Sequence, residues 1–359
     1  MENKTTMRAM VAMSGGVDSS VAVLLLQEAG YEVAGITMQL WDPARDLPDD
    51  TAPATLDANS LEAKKVAELL GIPHHSVALG ESFRACVTGP FLAEYVAGRT
   101  PNPCVFCNRK IKFGKLMEVS RSFGYPYLAT GHYAKIEKSA GGYLLKKASD
   151  PAKDQSYFLW GIRRELLPFI LFPLGNYTKP EIREIAAAHH FANAHRTDSQ
   201  DICFIPDGDY AAFLRAHTDC GFAPGNFVSP DGSVLGRHEG IVRYTVGQRK
   251  GLGVAFGHPM FVAGKDPAAN TVTLCEDREL YAERLTASDI NLLACETLEA
   301  PTRLEAKIRY RHTATPATVE QIGEGRLQVI FDTPQRAIAP GQSLVLYDGD
   351  TVIGGGIID

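Results

Sequence analysis

Short apolar runs alternate with longer segments of helical spacing along the first 200 residues. The apolar runs predict β-strands near residues 8–13, 32–39, 73–79 and 126–133. The segments between them predict helices near 19–29, 60–70, 81–97 and 110–122. Thr178 and Glu181 can form a capping box with Pro180 in the first turn, which predicts a further helix to about His190. We therefore predict an α/β fold with a doubly wound parallel sheet, which binds ligands at the C-terminal ends of its strands.

The pattern changes near Asp207, where Gly and Pro begin to separate short alternating runs. These runs predict strands at 225–228, 240–244, 260–263 and 271–274. After a charged stretch the alternation returns at 304–310, 327–331 and 343–347, and a hairpin signal follows. A small closed β-barrel is the expected form of this last section. We predict a catalytic domain over 1–207, a small mixed or β central domain over 208–277 and a C-terminal barrel over 278–359.

Residues 14–20 read Ser-Gly-Gly-Val-Asp-Ser-Ser and stand between the first predicted strand and the first predicted helix. Two adjacent glycines let the backbone approach an anion, and the helix N-terminus adds unpaired amides and a positive dipole end. The hydroxyls of Ser14, Ser19 and Ser20 can add donors. Asp18 fits such a loop as a ligand for Mg²⁺ that the phosphates share. The alternative is a Gly-Gly turn that Ser and Asp merely cap.

The loop lacks G-x-x-x-x-G-K-[ST] and G-x-G-x-x-G, which argues against a Walker ATPase and a dinucleotide dehydrogenase. It resembles instead the pyrophosphate loop of ATP pyrophosphatases. These enzymes break ATP between its α and β phosphates and leave AMP on an acceptor oxygen.

Composition narrows the class of protein. The 359 residues are 45% hydrophobic and 22% charged, which is typical of a globular protein of two or three domains. No apolar run has the length of a membrane span or of a signal peptide, so we expect a cytoplasmic protein without a membrane partner. The net charge of −6 argues against a surface that is basic throughout, but local basic clusters are compatible with an RNA-binding face.

Three of the seven cysteines lie in sequence motifs that suggest a chemical role. Cys104 and Cys107 form a C-x-x-C after two prolines and before a predicted helix, whose N-terminus favours a thiolate. Cys203 follows far downstream. On the residues alone, two alternatives stay open. The cysteines can be part of a zinc site, for which His132 is a possible fourth ligand, or they can be buried inert thiols. The other cysteines have no motif around them and are expected to be core or incidental: Cys86, Cys220, Cys275 and Cys295.

Six motifs resemble, in order, those of the tRNA-specific 2-thiouridylases (the MnmA/TrmU family). They are Ser14–Ser19, Thr100–Asn108 with its two cysteines, Thr130–Tyr133, Lys153–Tyr157, Ser199–Phe204 and Tyr244–Gly253. The resemblance covers nearly the whole chain. It implies an enzyme that adenylates O2 of the wobble uridine of tRNA with ATP and Mg²⁺, and then replaces that oxygen with sulfur.

The resemblance also implies roles for single residues. The ATP site comprises Ala12, Met13, Ser14, Gly15, Gly16, Val17, Asp18, Ser19, Met38 and Gly131, with Asp18 as the Mg²⁺ ligand. Cys203 is the persulfide carrier, and Cys107 is its partner, either through a disulfide or as the nucleophile. Contacts with the anticodon region of tRNA fall on Asn102, Pro103, Cys104, His132, Lys153, Asp154, Gln155, Arg309, Tyr310 and Gln342. A sulfur-donor protein, such as a persulfide carrier or a cysteine desulfurase, is the expected second partner.

Cys104 departs from the family pattern, because many members carry Asp there. Cys104, Cys107 and Cys203 together offer three thiolates, enough to hold a [4Fe–4S] cluster with one iron open for a sulfide. The cluster route is therefore an alternative to the persulfide route. More distant alternatives are a synthetase of the ATP-pyrophosphatase type that adenylates a small carbonyl substrate, and an RNA-binding module with a structural metal.

Overall fold

A computed structural model describes residues 7–40, 58–194, 202–205, 208–254 and 256–359. The chain forms two compact units that interleave along the sequence. The first comprises Met1–Val87, Cys104–Gln200 and Asp350–Val352, and the second comprises Thr88–Pro103, Asp201–Gly349 and Ile353–Asp359. The division into two units does not test the predicted domains 1–207, 208–277 and 278–359, which stay a prediction.

Seven strands lie entirely within the described part of the first unit. They are β1 (Arg8–Ala12), β2 (Glu32–Gln39), β3 (His74–Ala78), β4 (Tyr127–Thr130), β5 (Lys135–Ser139), β6 (Gly142–Lys146) and β7 (Ile170–Leu171). Five of them form a parallel sheet in the order β3-β2-β1-β4-β7, and β5 and β6 form an antiparallel hairpin. The predicted parallel α/β sheet is confirmed. Ala12 at the end of β1 lies opposite Ile36 and Thr130, so the C-terminal ends of three strands lie at one edge.

Helices connect these strands. The α-helices of the first part of the chain are α1 (Val17–Glu28), α2 (Ala58–Leu69), α3 (Gly80–Phe83), α4 (Gly89–Val96), α5 (Pro103–Phe106), α6 (Met117–Ser122) and α7 (Lys179–Ala188). Two π-helices join neighbours among them, at Arg84–Thr88 and Cys107–Leu116. Short 3₁₀ helices lie at Ser156–Phe158, Arg164–Phe169, Pro173–Asn176, Ile241–Arg243 and Asp277–Leu280. None of the helices in the described ranges is long and apolar enough to cross a membrane.

Strand β1 is apolar at nearly every position because helices cover both faces of the sheet. Ala9 and Val11 pack with Val21 and Leu26 of α1 in one buried cluster. Ile182 of α7 belongs to the same cluster, so α1 and α7 share one core. This packing fixes where α1 begins, and with it the loop between β1 and α1.

The helix after the two prolines begins earlier than predicted. It runs from Pro103 through Ser122 as α5, a π-helix and α6, whereas the sequence predicts a start near residue 110. Proline is favoured in the first turn of a helix, where its missing N–H has no partner to lose. Cys104 and Cys107 therefore lie within the helical stretch and not in a loop before it. The predicted capping box of Thr178 and Glu181 is confirmed at the start of α7.

The second unit is mostly β-structure and also contains α8 (Tyr210–His217). A four-stranded sheet has the order β10-β11-β8-β9, built from β8 (Gly225–Val228), β9 (Val234–His238), β10 (Phe261–Asp266) and β11 (Thr271–Cys275). The remaining strands are β12 (Tyr281–Leu292), β13 (Thr302–Lys307), β14 (Thr315–Gln321), β15 (Leu327–Arg336), β16 (Ser343–Asp348) and β17 (Thr351–Ile358). They follow the order β12-β15-β14-β13-β16-β17, and β12 pairs with β17. This pairing closes the predicted barrel.

Candidate active site

The loop between β1 and α1 has the geometry of an anion site. Gly16 is the N-cap residue of α1, and no side chain of the described residues caps the helix there. The first amides of α1 are therefore left for a ligand. Gly15 has a φ of 73°, a conformation that glycine adopts without strain. Thr37 Oγ1 donates to Met13 O at 2.9 Å and so ties the loop to the end of β2.

Two serine hydroxyls in the first turn of α1 donate back to the loop. Ser19 Oγ and Ser20 Oγ each donate to Gly16 O at 3.0 Å. Ser14 N donates to Ser19 Oγ at 3.3 Å. The carbonyl of Gly16 is thus held toward α1. Because a trans peptide is planar, the N–H of Val17 points in the opposite direction.

Gly131 packs directly against the loop. A Cβ atom at this position would lie 2.9 Å from both the Asp18 carbonyl carbon and Ser19 N. Only glycine lets the end of β4 approach the first turn of α1 this closely. Met38 lies near the end of β2, half-buried and opposite Val77. The structure therefore brings three of the predicted ATP-site regions, the loop, Met38 and Gly131, to one edge of the sheet.

Asp18 lies in a network of donors. Lys179 Nζ donates to both Asp18 Oδ1 and Oδ2 at 2.8 Å, and Tyr133 Oη donates to Oδ1 at 2.8 Å. Lys179 is 6% exposed. Oδ1 thus accepts from two groups and Oδ2 from one. A carboxylate is the kind of oxygen ligand that Mg²⁺ prefers, and Oδ2, with one protein partner, has more capacity left than Oδ1.

His132 follows Gly131 in the chain and is 9% exposed. Its Nδ1 is 2.6 Å from Thr130 Oγ1, and its Nε2 is 3.4 Å from Lys112 Nζ. Burial, and secondarily the charge of Lys112, lower the pKa of His132 well below its ordinary value. An ammonium can only donate, so Nε2 accepts and Nδ1 carries the proton. His132 is therefore a neutral side chain, and Lys112 is the cation next to it.

The predicted tRNA contacts at 153–155 bind their own loop. Asp154 Oδ1 accepts from Ala148 N at 3.0 Å, and Asp154 Oδ2 accepts from Ser156 Oγ at 2.8 Å. Gln155 Oε1 accepts from Tyr133 N at 2.9 Å. Lys153 is half-buried in the same turn. The loop is thus linked through Tyr133 to Asp18.

The motif cysteines differ in exposure. Cys104 is exposed and Cys107 is buried, and both belong to the first unit. Cys203 is exposed and belongs to the second unit. Phe204 after it is buried and packs edge-on against Phe91, with ring centroids 5.4 Å apart. Ser199, Gln200 and Asp201 of the Cys203 motif lie outside the described residues.

Within the second unit, Gln342 is bound to the loop that precedes the C-x-x-C. Gln342 Nε2 donates to Thr100 O at 2.7 Å, and Thr100 N donates to Pro340 O at 2.8 Å. The backbone of Thr100 is therefore held on both sides by residues 340–342. Asn102 is half-buried and Pro103 is buried just beyond this anchor.

Arg309 and Tyr310 follow β13. Arg309 Nη2 donates to Arg336 O at 2.8 Å and also to Ala337 O. Lys307 Nζ lies over the ring of Tyr310, 5.6 Å from its centroid. Part of the donor capacity of Arg309 is thus used inside the barrel. Among the described residues, no three His, Cys, Asp or Glu side chains converge in a way that could hold a metal ion.

Comparisons with known proteins agree with this geometry. Three family models match: "tRNA methyl transferase HUP domain" at 7–207, "tRNA methyl transferase PRC-barrel domain" at 211–276 and "Aminomethyltransferase beta-barrel domain" at 282–358. The "tRNA-specific 2-thiouridylase MnmA" of Clostridioides difficile is 46% identical over 98% of each chain. The protein of the same name from Acetivibrio thermocellus is 46% identical over 98% of this chain and 99% of its own. "tRNA-specific 2-thiouridylase MnmA 1" of Caldanaerobacter subterraneus is 48% identical over 98% of each chain.

The chain belongs to the MnmA family of tRNA-specific 2-thiouridylases. The resemblance predicted from six motifs is confirmed. Among solved structures, a 4-thiouridine synthetase–RNA complex with bound ATP is 18% identical, with a TM-score of 0.35, over 58% of this chain and 50% of that one. A likeness this distant says nothing about individual residues of the site.

Four polar residues of this family member lie at the loop or beside His132 without having been predicted as site residues. Tyr133 and Lys179 bind Asp18, Lys112 lies beside His132, and Asn193 Nδ2 donates to Gly15 O at 2.9 Å. For Lys179 the only sequence signal was its place in the first turn of a capped helix. Nothing in the pattern indicated Asn193. These contacts join distant parts of the chain, so local patterns do not predict them.

Proposed function

We propose that this chain is a tRNA-uridine 2-sulfurtransferase that uses ATP. In the first step, O2 of the wobble uridine attacks the α-phosphate of ATP, and pyrophosphate leaves. In the second step, sulfur attacks C2, and AMP leaves with the original oxygen. The observation that carries the proposal is the uncapped start of α1 behind the Gly15–Gly16 turn, in a chain whose curated relatives are named thiouridylases.

The adenylation step depends on the edge of the sheet described above. The uncapped amides of α1 would bind the departing pyrophosphate, and Lys179 places a buried positive charge within reach of the same region. Residues 12–19 with Met38 and Gly131 form the proposed ATP site. Asp18 would hold Mg²⁺, which would neutralise negative charge on the phosphates.

The sulfur step is proposed for the cysteines. Cys203 accepts sulfur as a persulfide from a donor protein, and its exposure suits such an encounter. The terminal sulfur attacks C2, and Cys107 then attacks the sulfur of Cys203, which breaks the S–S bond and forms a Cys107–Cys203 disulfide. A dithiol reductant returns both thiols for the next cycle. Since the thiolate is the reactive form, a position near the start of a helix favours this role for Cys107.

The proposed contacts with tRNA are those that the family resemblance implies. The proposed contacts are Asn102, Pro103, Cys104, His132, Lys153, Asp154, Gln155, Arg309, Tyr310 and Gln342. The target uridine has to leave its stack to reach the ATP site. His132 would contact RNA as a neutral group, since its pKa is lowered by burial.

Cys104 gives a specific reason to test a second sulfur route. A cluster held by Cys104, Cys107 and Cys203 would bind sulfide at an open iron. Replacement of Cys104 with Ala then removes iron and activity together, whereas a persulfide route survives it at a reduced rate. Iron content and the visible spectrum of protein purified without oxygen, measured beside thiolation, decide between the routes. A brown active wild type with a colourless inactive Cys104→Ala variant would favour the cluster.

The proposed function is tested with purified protein, ATP, Mg²⁺, a persulfide donor, a dithiol reductant and two tRNA transcripts. One transcript carries uridine at the wobble position, and the matched control carries cytidine there. We expect AMP, pyrophosphate and 2-thiouridine in equal amounts with the first transcript and none with the second. Pyrophosphate release without tRNA, in the presence of a small carbonyl substrate, would point to a synthetase instead.

A further inference from the structure

Asn193 lies in the first unit, 178 residues from the loop it contacts. Its Nδ2 donates to Gly15 O at 2.9 Å and to Ser20 Oγ at 3.1 Å. The residue is 7% exposed. The carbonyl of Gly15 can only accept, so the nitrogen of the side-chain amide has to face it. The orientation of the amide is therefore fixed by its partners.

This contact controls an amide that faces the other way. In a planar trans peptide the C=O and the N–H point in opposite directions. A donor that fixes the carbonyl of Gly15 therefore also fixes the N–H of Gly16. The hydroxyls of Ser19 and Ser20 do the same for the next peptide, because they hold Gly16 O and thereby orient the N–H of Val17.

The Gly15–Gly16 peptide requires such a restraint. Gly15 has a φ of 73°, and neither glycine has a side chain that opposes rotation of the peptide between them. A rotated peptide would present a carbonyl to the phosphates in place of an N–H. Loop serines hold the second peptide, whereas Asn193, from outside the loop, donates to the first.

The other end of the Asn193 amide is unsatisfied. Its Oδ1 is buried and has no hydrogen-bond partner in the described part of the chain. A buried acceptor without a donor costs free energy, and such groups persist where a function requires them. Here the group that the function requires is the side-chain NH₂ of Asn193, whose two hydrogen bonds go to Gly15 O and Ser20 Oγ. An apolar residue of the same shape would remove this cost together with the restraint.

We propose that Asn193 is a positioning residue for the phosphates of ATP, which acts by holding the Gly15–Gly16 peptide with its N–H toward the ligand. The inference rests on the proposed function, because it takes the loop as the ATP site. It extends the site to a residue that has no part in the loop motif. If the inference is right, the affinity for pyrophosphate depends directly on the orientation of the Gly15–Gly16 peptide.

The test compares Asn193→Leu with Gln27→Leu. Gln27 Nε2 donates to Leu70 O at 3.1 Å in the same unit, so its loss removes a similar amide contact away from the loop. We expect Asn193→Leu to raise KM for ATP and Kd for inorganic pyrophosphate about tenfold, which corresponds to one hydrogen bond of ~1.4 kcal/mol. Affinity for tRNA should stay within about twofold. Gln27→Leu should leave all three constants unchanged.

Two further measurements separate the outcomes. Asn193→Asp keeps the shape but turns an oxygen toward Gly15 O, so it should weaken pyrophosphate binding more than Asn193→Leu does. Melting temperatures of all variants show whether any loss is only structural. Normal pyrophosphate binding by a folded Asn193→Leu or Asn193→Asp variant would overturn the inference. A wild type that releases no pyrophosphate with tRNA but still binds it would instead refute the proposed function alone.

Discussion

Lys179 Nζ lies 2.8 Å from both carboxylate oxygens of Asp18, although 161 residues separate the two along the chain. The lysine side chain is 7% exposed and the aspartate side chain 29%. The pair connects the first turn of α7 with the first turn of α1. Asp18 thus binds a cation of the protein at the place where the loop would receive phosphates. The carboxylate of Asp18 would therefore contact both the ammonium of Lys179 and the proposed Mg²⁺.

Replacement of Asp18 with Asn should abolish adenylation and leave tRNA binding nearly intact. The change removes the charge that holds Lys179 and the proposed Mg²⁺ but no RNA contact. We expect pyrophosphate release to fall by ~100-fold or more, as for other losses of electrostatic stabilisation. Glu32→Gln, which breaks an exposed pair with Arg8, is the control. Normal thiolation by Asp18→Asn would refute the role of the loop.

Lys179→Met should also reduce adenylation, and its effect should not add to that of Asp18→Asn. Residues in contact give interaction energies of about 0.5–3 kcal/mol in double-mutant cycles. The measurement is kcat/KM for ATP in both single variants and the double variant. Strict additivity would show that the two residues act independently, contrary to the structure.

His132 should make the first unit sensitive to acid. Its folded pKa lies well below the ordinary value of 6.5, because of burial first and Lys112 second. Below that ordinary value the unfolded chain binds the proton more readily, so stability is complete above it and declines as the pH falls. His132→Gln should therefore lose less of its melting temperature than the wild type between about pH 7 and pH 5. Parallel curves for the two proteins would contradict the neutral, buried assignment.

Replacement of Arg309 with Gln should have two separable effects, one on the stability of the barrel and one on tRNA binding. Arg309→Gln removes the donors to Arg336 O and Ala337 O, which should destabilise the barrel by about 1–3 kcal/mol. If Arg309 also contacts a phosphate, the slope of log K for tRNA against log salt should fall by about one. Arg303→Gln, which breaks an exposed pair with Asp332 on the same barrel, is the control. A lower stability with an unchanged salt slope would assign Arg309 to the barrel alone.

The sequence predicted those parts of the site that depend on neighbouring residues. A strand, a Gly-Gly turn and a helix are consecutive between Arg8 and Glu28, so their apolar pattern and glycines suffice to predict the loop. The sequence does not predict the start of the later helix at Pro103, because the two prolines favour a loop. Lys179 and Asn193 were missed because tertiary packing alone brings them to Asp18 and Gly15. The sequence also predicts that the hydroxyls of Ser19 and Ser20 are donors for phosphate, but in the structure they donate to Gly16 O.

The most direct test of the central claim is a single-turnover assay of Cys203→Ser beside the wild type, with ATP, Mg²⁺, wobble-uridine tRNA and a persulfide donor, read for pyrophosphate and for 2-thiouridine. Adenylation needs the loop and the uridine, whereas sulfur transfer needs Cys203 in either sulfur route. Serine keeps the size of the side chain but forms no persulfide. The account predicts one equivalent of tRNA-dependent pyrophosphate and no 2-thiouridine. Substantial 2-thiouridine from this variant would contradict the account.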